Sequence, residues 1–206
     1  MARAPKSTPA PSGRSGRRET ILAAAADLFS NQGYAATGID EIGEAAGITG
    51  PGVYRHFDGK SAVLSEVITR LITDLIAGVA DVVADGDDPE AILGGLVDNL
   101  VRTVLADRQS WGVFIREQRH LEPASRAKVN RAHRLHVEEW VDALLHLRPE
   151  LREAEARTVV HGAFGIVASI THRHQPGVSD AVLAAALHDA AMNVLLRTPA
   201  PRPSAG

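Results

Sequence analysis

Residues 33–60 read GYAATGIDEIGEAAGITGPGVYRHFDGK, and their spacing predicts two short helices that cross at a glycine turn. Ile39, Ile42 and Ala46 recur at helical intervals before the break, and Ile48, Val53 and Phe57 after it. Gly47 stands where the chain has to reverse, and glycine accepts the left-handed backbone that such a turn needs. Gly43 leaves no side chain where the second helix passes over the first. Thr37 is placed as the N-cap of a helix over Ile39 to Ala46, because its hydroxyl can accept a free N–H of the first turn. Thr49 caps the next helix, which carries Pro51 in its first turn and ends near Phe57.

The pattern outward from this stretch stays helical. Upstream, Ile21, Leu22, Ala25, Leu28 and Phe29 form one face of a helix from Arg14 to Gln32, stopped by Gly33, and Tyr34 packs back on the same small core. Residues 1–13, with Pro5, Pro9 and Pro11, read as a flexible basic arm. Downstream of Asp58-Gly59, an apolar stripe predicts a helix from Lys60 to Ala84, long enough to be shared by two domains. Asp88-Pro89 restarts the pattern as far as Ala106. Trp111, Phe114, Ile115, Gln118 and Leu121 lie on one stripe of a sixth helix, ended by Pro123. Three more follow, Ala124 to Leu147, Leu151 to His174 and Asp180 to Arg197, before a tail at 198–206. The expected fold is all-α with about nine helices, a helix-turn-helix domain over 14–62 and a helical bundle over 63–197.

Composition narrows the function classes. No cysteine is present, so disulfides, thiolate metal sites and cysteine nucleophiles are excluded. The first residues are basic and Pro/Ser-rich without an apolar segment behind them, and no run of eighteen apolar residues occurs, so a cytoplasmic protein with no membrane partner is expected. The net charge of −3 is uneven. Up to Lys60 there are seven Lys/Arg against six Asp/Glu, whereas residues 61–206 hold fifteen against nineteen. A basic end on an acidic body suits a polyanion at one end only.

The residues Thr37, Ile39, Ile42, Ala46-Gly47-Ile48, Thr49, Val53-Tyr54-Arg55-His56-Phe57 and Lys60 together resemble the N-terminal signature of the TetR family of bacterial transcriptional regulators. The likeness covers about residues 17–64 and is one of architecture alone beyond that. It implies a repressor that binds a palindromic double-stranded DNA operator as a homodimer and is released by a small, mainly apolar effector. It implies phosphate contacts from Thr37, Tyr54 and Lys60, with the Thr49 helix in the major groove. Arg17 and Arg18 add charge, and the arm with Arg14 can follow the minor groove. Gly50 and Gly52 fall where such proteins often aim side chains at bases, with Pro51 between them, which leaves Arg55 as the expected base reader, helped by Thr49. His56 is a further candidate for phosphate.

In the second domain the few aromatics gather on three helices, and an effector cavity is expected among Trp111, Phe114, Ile115, Gln118, Arg119, His136, Trp140, His161 and Phe164. Thr158, Gly162, Gly165 and Ser169 make a nearly bare helix face, and the last helix is apolar almost all round. A homodimer seam is expected there, including Leu183, Leu187 and Val194. His133 and His136 at i, i+3, and His172 with His174, lack a further ligand set, so neither a metal nor another cofactor is expected. Two other classes compete with the regulator. One is a helical enzyme using His120 with Glu117, which lacks a nucleophile elbow, phosphate loop or paired acids. The other is a homodimeric interaction protein whose helix-turn-helix does not bind DNA.

Overall fold

The computed structural model describes residues 14–84, 88–172 and 177–197. The predicted arm at 1–13, the tail at 198–206 and His174 lie outside them. No strand occurs among the described residues. Nine α-helices are described: α1 Arg14–Gln32, α2 Ile39–Ala45, α3 Gly50–Val53, α4 Lys60–Ala84, α5 Pro89–Ala106, α6 Arg108–Glu117, α7 Pro123–Leu147, α8 Glu153–Ala168 and α9 Asp180–Arg197. They divide into two compact units between Val67 and Ile68.

In the first unit, Ile21, Ala25 and Phe29 of α1, Ile42 of α2, Val53 of α3 and Val63 and Leu64 of α4 are fully buried. Tyr34 packs its ring on Phe29, with centroids 5.4 Å apart. Gly33 and Gly47 have φ of 85° and 67°, as a helix stop and a tight turn require. A Cβ on Gly43 would stand 2.9 Å from the backbone of both Thr49 and Gly50, so only glycine allows α2 and α3 to approach this closely.

The N-cap of α2 is Gly38, not Thr37. Glu41 Oε2 accepts the Gly38 N–H at 2.6 Å, closing that end from inside the helix. Thr37 faces inward instead. It is 2% exposed, and its hydroxyl donates to Gly33 O at 2.9 Å while accepting from Gln32 Nε2. Thr49 does cap α3, accepting from Gly52 N at 3.3 Å. The α-helical part of α3 is short, and the chain continues as helical turns to Phe57, whose N–H reaches Val53 O at 3.1 Å.

In the second unit α9 packs along α8 and α5. Two glycines draw α4 against α5. A Cβ on Gly78 would overlap Asn99, which donates to Leu75 O at 2.8 Å, and one on Gly95 would stand 2.7 Å from Val82. Pro123 opens α7 rather than closing α6, since a first-turn proline forfeits no helical hydrogen bond. The α6 helix ends at Glu117 and passes into a 3-10 turn over Gln118–His120. The α8 helix likewise gives way at Ser169–His172 to 3-10 geometry, short of the expected His174. Buried Arg148 donates to Leu195 O at 3.1 Å and to Glu150 at 2.9 Å, satisfying a carbonyl in the last turn of α9.

Candidate nucleic-acid interface and effector cavity

The outer face of α3 and the turns after it carries Thr49, Pro51, Tyr54 and Arg55, all exposed. Tyr54 is 58% exposed, a large ring offered to solvent beside an Arg. The opposite face is buried through Val53 and Phe57, so the outward direction is fixed by packing. Arg17 is exposed on α1.

Several expected contact residues are engaged within the protein. Arg18 donates to His56 O at 2.6 Å, pairs with Glu66 at 3.3 Å and lies 4.1 Å over the Phe57 ring. It fastens the end of the α3 segment to α1. Lys60 Nζ donates to Tyr34 O and Thr37 O, both at 2.7 Å, and sits 4.4 Å from the Tyr34 ring centroid. Its ammonium thereby locks the loop between α1 and α2. His56 is half-buried. Gly50 is buried and corrects the expectation that it thins a base-reading face: a Cβ there would overlap the Asp40 carboxylate of α2, so the position points inward. Gly52 has room for a methyl group, with its nearest contact at 3.4 Å. Arg14 begins α1, and its side chain lies outside the described structure.

The second unit holds a cavity of about 150 Å³ lined by α5 (Leu100, Val104), α6 (Trp111, Phe114, Ile115), His133 of α7, and Phe164, Gly165 and Ala168 of α8. The Trp111 and Phe114 rings meet edge to face at 5.9 Å, and His133 sits between Phe114 at 5.9 Å and Phe164 at 5.8 Å. Of the nine expected residues, Trp111, Phe114, Ile115 and Phe164 line it. Gln118 and Arg119 leave the stripe because α6 ends before them, and exposed Arg119 donates to His120. His161 is exposed on α8. Trp140 is fully buried against Phe164, with centroids 4.8 Å apart, and His136 lies beside it.

His133, Leu100, Val104, Gly165 and Ala168 also line it, beyond the residues the sequence points to. His133 stood out only as one half of an i, i+3 pair, and its place on the cavity wall depends on where α6 and α8 pass. Gly165 is expected at the seam, yet it also lines the cavity, and a Cβ there would meet nothing within 4 Å.

The polar groups near the cavity are few. His136 is 3% exposed, and burial, with nearby His133 second, lowers its pKa to about 4. Burial and then His161 also lower that of His133. Both rings are therefore neutral near pH 7. Trp140 Nε1 donates to His136 Nε2 at 3.2 Å, which places the remaining ring proton on Nδ1. That Nδ1 and Trp111 Nε1 are buried with no partner among the described residues. Each such orphan costs about 1–3 kcal/mol. A larger, open groove of about 480 Å³ is lined by Glu138, Glu139, Asp142 and Glu153, with Val141 and Leu145. Two of those acids pair with Arg157, and the groove lacks the enclosure an apolar molecule needs. Among the described residues no group of three His, Cys, Asp or Glu is placed to hold a metal ion.

A short helix with a buried inner and polar outer face, crossing a second helix at a glycine, defines a helix-turn-helix protein with an all-helical second unit. The chain belongs to the TetR family. Residues 21–67 match the model of bacterial regulatory proteins, tetR family. The HTH-type transcriptional activator FasR of Mycolicibacterium smegmatis is 30% identical over 155 residues, 75% of this chain and 69% of that protein. The HTH-type transcriptional repressor KstR2 of Rhodococcus jostii is 36% identical over 110 residues, 53% of this chain and 54% of that protein, so the match spans about half of that relative. In fold the chain is similar to a TetR-family transcriptional regulator from Bordetella parapertussis, with a TM-score of 0.79 and 24% identity over 87% of this chain and 94% of that one.

Proposed function

We propose that the protein is a ligand-responsive transcriptional regulator, a repressor that binds a palindromic operator as a homodimer and is released by a small, mainly apolar effector. The outward face of α3 carries this reading, with Tyr54 and Arg55 exposed on a helix held in place from behind. Tyr54, Thr49 and Arg17 grip phosphates, while Arg55 pairs with guanine O6 and N7. The repressing sense follows KstR2 of Rhodococcus jostii, a repressor 36% identical over the matched residues. The effector site is the α5–α8 cavity, and the exposed Thr158, Gly162 and Gly165 of α8, with Ser169 in the turn that follows it, supply the seam to a second copy. The effector acts by binding more tightly to the dimer state whose recognition helices no longer match adjacent major grooves.

Selection of bound duplexes from a random library, followed by titration of wild type and Arg55→Ala, tests the DNA-binding reading. A palindromic consensus, with Arg55→Ala losing about 1–3 kcal/mol of discrimination against a scrambled duplex, is expected. Wild-type binding without sequence preference, or insensitive to salt, would refute it, because neutralised phosphates release counterions.

A further inference from the structure

We propose that Ala168 sets the size of what the α5–α8 cavity admits, and that the group the effector places there is apolar and about as large as one six-membered ring. This rests on the cavity being the effector site.

The α5, α6 and α7 walls are bulky, with Trp111 and Phe114 in edge-to-face contact and His133 wedged between Phe114 and Phe164. The α8 wall is not. It offers Phe164, Gly165 and Ala168, and at about 100° per residue Ala168 falls about 40° from Phe164 and about 60° from Gly165, between the other two. The middle of that wall is therefore a single methyl group. Packing within the chain does not ask for small residues here. A Cβ on Gly78 or Gly95 would run into the facing helix, whereas one on Gly165 meets nothing within 4 Å. A seam to a second copy accounts for Gly165, which borders that face, but not for Ala168, which the helix turns away from the seam and toward the cavity.

The size and chemistry of the space follow from these walls. An apolar cavity of about 150 Å³ stays dry and takes a benzene-sized guest. No Lys, Arg, Asp or Glu lines it, His133 is held neutral by burial first and His161 second, and the Trp111 N–H is buried. Attraction thus comes from apolar area removed from water and from dispersion, which favour a larger guest until it meets a wall. A longer side chain at position 168 would stand where the ring has to lie.

Benzene and 1,3,5-trimethylbenzene, each titrated below its solubility into the full-length protein, test this. The readout is the methyl resonances of Leu100 and Val104, both buried and both on the cavity wall. The second probe is larger in three directions, so it cannot leave its bulk at the mouth. Benzene is expected to shift both residues saturably, and the larger probe to bind about tenfold or more weaker, on the scale of overpacking, although its area would favour it in an open groove. Ala168→Leu should weaken benzene by a similar factor of about tenfold or more. Ala168→Gly should narrow the gap between the probes. Should the leucine variant fail to fold, the wild-type size preference and its relaxation in Ala168→Gly decide alone. Equal or tighter binding of the larger probe, or benzene binding undiminished by Ala168→Leu, overturns the proposal and leaves the cavity as a binding site. Binding of neither probe overturns both this proposal and the cavity as effector site.

Discussion

At the scale of single residues, Gly43 and Gly52 belong to the same motif and answer to different constraints. A methyl group on Gly43 presses on backbone that cannot rotate away, whereas one on Gly52 makes ordinary contact. Gly43→Ala should therefore lower stability by about 1–3 kcal/mol in a urea melt, the range for overpacking, and Gly52→Ala should leave it nearly unchanged. Equal effects would mean that α2 and α3 have slack the packing does not show. His136 yields a second prediction, through protons rather than volume. Its folded pKa is about 4, lowered by burial first and His133 second, against an ordinary 6.5. Above pH 6.5 neither state is protonated, so the full stability is present. As pH falls the unfolded chain takes up a proton that the folded one refuses, and stability is lost until about pH 4. Replacement by Gln keeps an acceptor for Trp140 and removes the titration. Between about pH 7 and about pH 5, wild type should lose roughly 2 kcal/mol more than His136→Gln. An identical loss in both would clear His136 of the effect.

At the scale of elements, the recognition helix is too short to hold its own position, and two cations tie the chain around it, one at the end of the α3 segment and one at the loop before α2. Arg18 reaches from α1 to His56 O, and Lys60 reaches from α4 to the carbonyls of residues 34 and 37. Lys60→Met keeps the aliphatic stem and takes the ammonium donor away from both carbonyls. Unit stability should fall by about 1–3 kcal/mol, the scale for a charged hydrogen bond, and affinity should fall in proportion for specific and scrambled duplexes alike. A weakening of DNA binding with unchanged stability would return Lys60 to direct phosphate contact. These ties also show which parts of the sequence could be read. Gly33, Gly47, the Thr49 cap and the Asp88-Pro89 start act over four residues or fewer, so their chemistry is visible in a short window. Lys60 and Arg18 looked like free phosphate donors because their acceptors lie 26 and 38 residues away. Thr37 was misplaced by one position for a related reason: its hydroxyl found the Gly33 carbonyl behind it, and Glu41 took over the cap. The cavity was half legible, since aromatics announce themselves while Gly165 and Ala168 contribute only an absence of bulk.

At the scale of the whole molecule, α9 bears on the seam. Its apolar character on all sides suggested two coverings, and part of that demand is met within the chain. Leu187, Ala191 and Leu195 are buried by its own bundle, which withdraws Leu187 from the expected interface, and Val194 lies 3.5 Å from where a Gly162 Cβ would be. What stays uncovered is Val182, 59% exposed, with Ala181, Ala185 and Ala186, and the nearly bare face of Thr158, Gly162 and Gly165 on α8 with Ser169 just after it. Small residues let a second helix come near, but they bury little area each, so a stable pair needs both helices of both copies. A long cation in that face should then be decisive where a small change is not. Thr158 is exposed, and its hydroxyl bonds only back to Ala154 O of its own helix, so Thr158→Arg costs the monomer little. Light scattering is expected to give twice the 21.9 kDa chain mass for wild type and the single mass for the variant, with an unchanged melting temperature at low concentration. Operator affinity should drop with dimerisation, because one half-site forfeits the second set of phosphate and base contacts. A variant that remains dimeric places the seam elsewhere on the second unit, and one that becomes monomeric yet binds the palindrome as before separates DNA recognition from α8.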